Sequence, residues 1–400
     1  MTIPVAKCSS CGACANVCSR GAINMQLDKE GFYRPVINRS ICSKCGACER
    51  VCPWTRDVSN PNDSSVSPKT IAAYVKDEQL RLASSSGGIF SVLAESVLDD
   101  GGVVVGVAQV APTRFEHVVI ENKANLSKLR GSKYVQANAG IIYKQVRMLL
   151  IDGRKVLFSG TPCQVAALYS FLGEKYFKNL WTIDVVCHGT PSVTVFEKYI
   201  RERECIASAP ISLSSFRDKL EGWRSFSMKL IQRSDSCDKI VYSKNLKMDS
   251  FLRLFLRNVC LNKSCSSCHY GKLPRIADVT LGDYWNVADV HPEMDDDKGV
   301  SVVLLNTNHG EKLFAKASSN IKHCTSTLEK AIAGNPCIVR SSREHFRRME
   351  FFDDLARLTM DELAEKYCVT LPLYKIILLK MRNYMLKSFR YVLRFVMQLC

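Results

Sequence analysis

The sequence contains no run of 18 consecutive apolar residues, so nothing in it reads as a membrane span. Its opening, MTIPVAKCSS, lacks the charged-then-apolar pattern of a secretory signal. Zinc-finger, helix-turn-helix and aromatic RNA-binding motifs are missing, which removes nucleic acid from the expected partners. An even cysteine count is missing too, because the chain has 19. An odd number with no signal segment argues against a secreted disulfide framework and for a reducing cytoplasm. Acidic residues are the scarcer charge, 39 against 55 Lys and Arg, for a formal net charge of +16. The length of 400 residues suits two or three domains with a sizeable core.

What is present is a cysteine pattern. The N-terminus reads CSSCGACANVCSRG and then CSKCGACERVCPWT, giving Cys8, Cys11, Cys14, Cys18 and Cys42, Cys45, Cys48, Cys52. Each member of the second set follows its counterpart by 34 residues, so the segment is an internal duplication. Three cysteines spaced two apart can hold three corners of a 4Fe-4S cube, while the fourth reaches across to the other cube. That assigns Cys8, Cys11, Cys14 and Cys52 to one cluster and Cys18, Cys42, Cys45 and Cys48 to the other. Gly12 and Gly46 let the backbone pass close to sulfur. Zinc fits poorly, because the spacing makes the two sets share ligands crosswise. The segment resembles a bacterial two-cluster ferredoxin domain, with Ser19 standing after Cys18 where that pattern has proline. DKEGFYRPVIN between the repeats reads as a small hairpin turning at Gly31.

Residues 57–69, DVSNPNDSSVSPK, form a Ser-, Pro- and Asn-rich linker. From Thr70 the pattern alternates β-branched runs (IAAYV, GGVVVGVAQV, KVLFSG, LWTIDVV) with stretches of helical spacing (GGIFSVLAESVLDD, GIIYKQVRMLLIDG). The expected class is α/β (α+β), a mixed sheet with helices on its faces. In LASSSGGIF, residues Ser84, Ser85, Ser86, Gly87 and Gly88 lead into a helix, which suits either a phosphate group or a plain helix cap. Cys163 and Cys187 sit at the carboxyl ends of two strands, the edge where open α/β sheets place ligands. Cys265-Ser-Ser-Cys268-His269 alone would suit a haem attachment, half a zinc site, a redox dithiol or two cluster ligands. Cys163 and Cys187 can complete a third cube with Cys265 and Cys268, and Cys260 is a rival for one place. Spacing does not choose between them. His188 and His269 read as neighbours of such a site, not ligands.

SSSGGIF, LRGSKYVQA, GTPCQVAAL, DVVCHGTPS, SFRDKLEGW, SCSSCHYGKLPRIADVTLGDYW and KGVSVVLL occur in the order they have in the coenzyme F420 hydrogenase/dehydrogenase beta-subunit family, which the chain resembles from about Ile71 to Leu305. The resemblance implies an FAD-containing iron–sulfur oxidoreductase that passes electrons between clusters, flavin and a hydride-exchanging partner. It also implies that the Cys265/Cys268 pair binds a further 4Fe-4S cluster. Ser85, Ser86, Gly87 and Gly88 would then hold the flavin phosphates, and Lys133 and Tyr134 are candidates beside the flavin. No general acid or base stands out. With three clusters of about −2 each the net charge falls to roughly +10, which still favours acidic partners.

The expected domains are a ferredoxin domain (1–56), a linker (57–69), an FAD and iron–sulfur domain (70–310), a helical extension (311–373) and a basic amphipathic helix (374–400). In the last, Lys375, Lys380, Arg382, Lys387, Arg390 and Arg394 fall within an arc of about 160°, suiting either an anionic membrane surface or self-packing. The expected substrate is coenzyme F420 or another small acidic organic molecule, with ferredoxin as redox partner. The alternatives are a reductase in polysaccharide biosynthesis, an electron-relay subunit with no substrate site, and a structural metal-binding adaptor.

Overall fold

The computed structural model describes residues 7–56, 58–60, 67–173, 178–234 and 237–368, so the basic stretch 374–400 lies outside the described residues. The strands in chain order are β1 (Ile23–Leu27), β2 (Tyr33–Ile37), β3 (Lys69–Val75), β4 (Val103–Ala111), β5 (Arg114–Ile120), β6 (Val156–Gly160), β7 (Leu180–Val185), β8 (Leu213–Asp218), β9 (Ser227–Gln232), β10 (Lys239–Asn245), β11 (Val279–Asp283), β12 (Ser301–Leu305) and β13 (Ile321–Ser326). Eight of them form one sheet in the order β13-β3-β12-β11-β7-β6-β4-β5. Its centre is parallel, β4 to β6 to β7 to β11, and both flanks are antiparallel. The central strands are short apolar runs because both faces are covered, and β12 (SVVLL) is buried throughout.

Strand alternation divides the core. Val103 and Val105 face the helices Ile142–Ile151 and Pro162–Leu172, while Val104 faces Ile89–Asp99 and Asn308–Ala317. A second, three-stranded sheet, β10-β9-β8, packs with the helices Val193–Ala207, Ser250–Leu256 and Met360–Tyr367 around Phe196, Phe216 and Phe251.

The cysteine-rich segment is built into this body. Its hairpin β1–β2 turns through Gly31, and Ala13, Cys14, Ile23 and Val51 belong to the same apolar cluster as Phe158 and Val165. Arg34 donates to the Cys8 carbonyl at 2.6 Å and to Asn262 Oδ1 at 3.1 Å, and its Nε pairs with Asp28 at 2.9 Å. Tyr143 donates to the Cys11 carbonyl at 2.8 Å, and Tyr270 to the Pro53 carbonyl at 2.7 Å. The Arg348–Glu30 pair closes the far side at 2.7 Å.

One expectation needs correction. Residues 311–373 are not a purely helical extension, because β13 pairs antiparallel with β3 along the edge of the main sheet. The helix Asn308–Ala317 also runs through the expected boundary at 310. IKHCTS carries little apolar signal because an edge strand of this kind buries few of its side chains.

Candidate iron–sulfur and cofactor site

Both ferredoxin repeats place a glycine in the left-handed region ahead of a short helix, Gly12 at φ 78° and Gly46 at φ 72°. The Cys11, Cys14 and Cys52 thiols are surrounded by one another and by Cys8. Burial first, and then mutual repulsion, raises all three above the ordinary thiol range. Cys52 of the second repeat thus stands with the first three cysteines of the first repeat. The other set is nearer solvent, with Cys45 exposed and Cys18, Cys42 and Cys48 half-buried. The Ala47 N–H holds the Cys45 thiol below its usual value.

A second convergence of thiols lies at the carboxyl edge of the main sheet. Pro162 and a Thr161–Gln164 capping box start the helix after β6, which fixes Cys163 in its first turn. Cys187 follows β7, and Cys265 and Cys268 come from a turn of 3-10 helix at Lys263–Ser267. Burial raises Cys163 most, followed by repulsion from Cys268, Cys187 and Cys265; Cys187 is raised by burial and by Cys265 and Cys268. Burial pushes Cys265 up to about 11. The four cysteines are half-buried, Arg275 brings positive charge toward Cys187 and Arg348 toward Cys265, and the convergence fits a cluster that binds the four as thiolates. Cys260 faces Cys368 instead. His269 lies tilted against Trp54 at 4.2 Å, and His188 meets Phe255 edge-on at 5.0 Å, so both rings pack against aromatic neighbours. Cys11 also has Cys163 as a neighbour, which brings the two thiol sets side by side.

Beside Cys163 and Cys187 opens a cavity of about 400 Å³. Its far wall carries Ser84, Ser85, Ser86 and Gly88 at the start of the helix Ile89–Asp99, and Arg130 to Tyr134 from the facing loop. Ser85 Oγ accepts from the Ser132 N–H at 2.7 Å, which joins the two loops. Lys133 Nζ donates to the Leu129 and Arg130 carbonyls at 2.8 and 2.9 Å, and burial beside Arg130 lowers its pKa to about 7. Tyr134 stacks on Phe255 at 4.3 Å. Gly87 lies apart from the cavity: a Cβ there would sit 2.4 Å from the Ala73 carbonyl oxygen, so this glycine admits β3, not a ligand.

The cavity also holds groups to which spacing alone gives no role. Arg217 forms a bidentate pair with Asp283 at 2.6 and 3.1 Å and lies 4.4 Å over the Phe226 ring. Trp285, stacked on Trp223 at 4.8 Å, adds an aromatic wall. Gln136 accepts from the Tyr33 N–H, and its buried Nε2 has no partner among the described residues. Arg217 and Asp283 fall within SFRDKLEGW and the GDYW sequence, so order within a motif was their only signal.

Thiol sets of this spacing, at the ligand edge of a mixed α/β sheet, define an iron–sulfur oxidoreductase. A family model for a 4Fe-4S dicluster domain matches residues 7–55. Models for the N-terminal and C-terminal parts of the coenzyme F420 hydrogenase/dehydrogenase beta subunit match residues 70–140 and 153–331. The chain belongs to the coenzyme F420 hydrogenase/dehydrogenase beta-subunit family. No curated protein matches it in sequence. Among solved structures it is similar to a chain of the xenon-derivatised F420-reducing NiFe hydrogenase complex from Methanosarcina barkeri, at 16% identity and a TM-score of 0.46 over 69% of this chain and 91% of that one. No helix among the described residues is long and apolar enough to cross a membrane.

Proposed function

We propose that the protein takes electrons from a reduced ferredoxin and delivers them, through three 4Fe-4S clusters and a bound FAD, as hydride to a small acidic organic substrate, with coenzyme F420 as first candidate. The observation that carries this reading is the adjacency of three features: the Cys8/Cys11/Cys14/Cys52 set, the Cys163/Cys187/Cys265/Cys268 set, and the cavity they lead to. The set containing exposed Cys45 is the outer end of that series and the natural entry from a partner protein.

The residues suit FAD. Ser85, Ser86 and Gly88 offer donors at a helix N-terminus for the phosphates, and Lys133 faces them from the opposite loop. The partnerless Gln136 Nε2 is a donor on the cavity wall for an acceptor-rich ring. When bound, FAD supplies the conversion between single electrons and hydride. The chain's own part is to seat the cofactor next to Cys163 and Cys187, to keep positive charge near it through Arg130 and Lys133, and to wall the space with Tyr134 and Trp285. A net charge of +16 before cluster binding favours acidic partners of both kinds. The basic stretch 374–400 adds peripheral contact with an anionic membrane to this reading.

The test is anaerobic. Protein loaded with iron, sulfide and FAD is reduced through its clusters and mixed with the deazaflavin, whose absorbance and fluorescence are followed. Bleaching at catalytic rates supports coenzyme F420. Flavinated protein that neither binds nor reduces it removes that substrate, and protein that takes up no FAD removes the flavin reading as a whole.

A further inference from the structure

On the flank of the main sheet farthest from the thiol sets in strand order, β13 brings Cys324 and Ser326 to the segment between β11 and β12. Cys324 and Ser326 are two apart on a strand, so they share a face. Opposite them stand His291 and Glu293, and the donor atoms of His291, Glu293 and Cys324 all lie within 4.8 Å of one another. His291 Nδ1 is 3.6 Å from Glu293 Oε1. The other ring nitrogen, Nε2, is 2.9 Å from Ser326 Oγ, which in turn is 2.5 Å from the Tyr284 hydroxyl.

We infer that His291, Glu293 and Cys324 form a mononuclear site for a zinc-class divalent cation, separate from the iron–sulfur thiols. The donor set mixes imidazole, carboxylate and thiolate, which matches a borderline-soft ion and not calcium or magnesium. With ordinary zinc bond lengths, tetrahedral donors stand roughly 3.3–3.8 Å apart. The His291–Glu293 separation already meets that, and the Cys324 thiol needs a small rotation. Ser326 accepts the Nε2 hydrogen, which leaves the Nδ1 lone pair facing the ion, an arrangement usual around metal-bound histidines. Glu293 is 63% exposed, so the ion enters from solvent, and water takes the fourth position. The ion adds to the Ser326 hydrogen bonds a further tie between edge strand β13 and the β11–β12 connection.

The experiment uses the full-length chain, anaerobic and fully loaded with iron. After equilibration with micromolar zinc and gel filtration, metal analysis is expected to find one zinc per chain beyond that in Cys324→Ser and in His291→Ala. Iron content, unchanged in both variants, shows that they are folded. Zinc-edge X-ray absorption of the wild type should show one sulfur among nitrogen and oxygen neighbours. Zinc retained equally by the variants, or bound with several sulfurs, overturns the site. So does the absence of retained zinc in the wild type.

Discussion

Cys260 is fully buried against Cys368, whereas Cys163 stands among Cys187, Cys265 and Cys268. Replacing Cys265 or Cys268 by alanine is therefore expected to remove about four of about twelve irons, with the ferredoxin-type electron paramagnetic signals kept. Cys260→Ala should keep all of them; iron loss from Cys260→Ala with none from Cys163→Ala would reverse the assignment. The cysteine types were readable in the sequence, but the choice between Cys163 and Cys260 was not, because ligands drawn from separate strand ends have no spacing rule. Lys133 gives a second residue-scale test. Its pKa is lowered to about 7 by burial and by Arg130, and a phosphate held by it requires the ammonium form. Below pH 7 that form already exists; above it, each pH unit costs roughly tenfold in affinity until the pKa of the bound state is reached. FAD affinity measured by fluorescence quenching should be level below about pH 7 and then fall, and Lys133→Met should bind more weakly with a flatter profile. Equal slopes in the two proteins would place the phosphate elsewhere.

Among the elements, the loop before the helix Ile89–Asp99 is held from both sides. Gly87 presses on β3, and Lys219 Nζ donates to the carbonyls of Arg81, Ser86 and Lys298 at 2.7 to 2.9 Å. Gly87→Ala forces its Cβ on the Ala73 carbonyl, and overpacking of this kind costs about 1–3 kcal/mol or more. Lys219→Met removes the donor shared by these three carbonyls, of which that of Arg81 keeps the Ser84 N–H, and should cost about 1–3 kcal/mol. Thermal unfolding of the flavin-free protein is expected to show both losses, whereas Ser85→Ala, which gives up only the Ser132 hydrogen bond, should lower stability by about 1 kcal/mol and weaken FAD binding more than that. The helix start and its serines were legible from Ser-Gly-Gly before an apolar-periodic stretch. The role of Gly87 was not, since sequence does not tell a glycine that admits a ligand from one that admits a strand. Strand β13 escaped for a related reason: Lys322, His323 and Thr325 read as polar surface, and only pairing with β3 makes the segment a strand.

At the scale of the whole molecule, the ferredoxin segment shares its core and its hydrogen bonds with the sheet domain. Residues 1–56 made alone are therefore expected to hold fewer than eight irons and to unfold without a cooperative transition, although the motif suggests an independent module. A stable eight-iron fragment would show that the shared core is dispensable. The mixed sheet with helices on its faces was legible from alternating strands and helices, and its strand order was not. The docking of the segment was not, because Arg34, Tyr143 and Tyr270 are ordinary residues until the fold points them at cysteine carbonyls and the Pro53 carbonyl.

The duplicated motif has been placed in two unlike surroundings: one thiol set is mostly buried, and the other holds exposed Cys45 at the surface. Reduction adds a negative charge to a cluster, and a low-dielectric interior resists that charge more than solvent does. Burial alone then makes the inner cluster the harder of the two to reduce, so an electron entering at the surface climbs before it reaches the cavity. Two copies of one motif thereby act as a threshold. Along the proposed path, donors reducing enough to fill the inner cluster would pass electrons on toward the cavity, and weaker ones would stop at the outer cluster, which a stepwise reductive titration would show as the first to change.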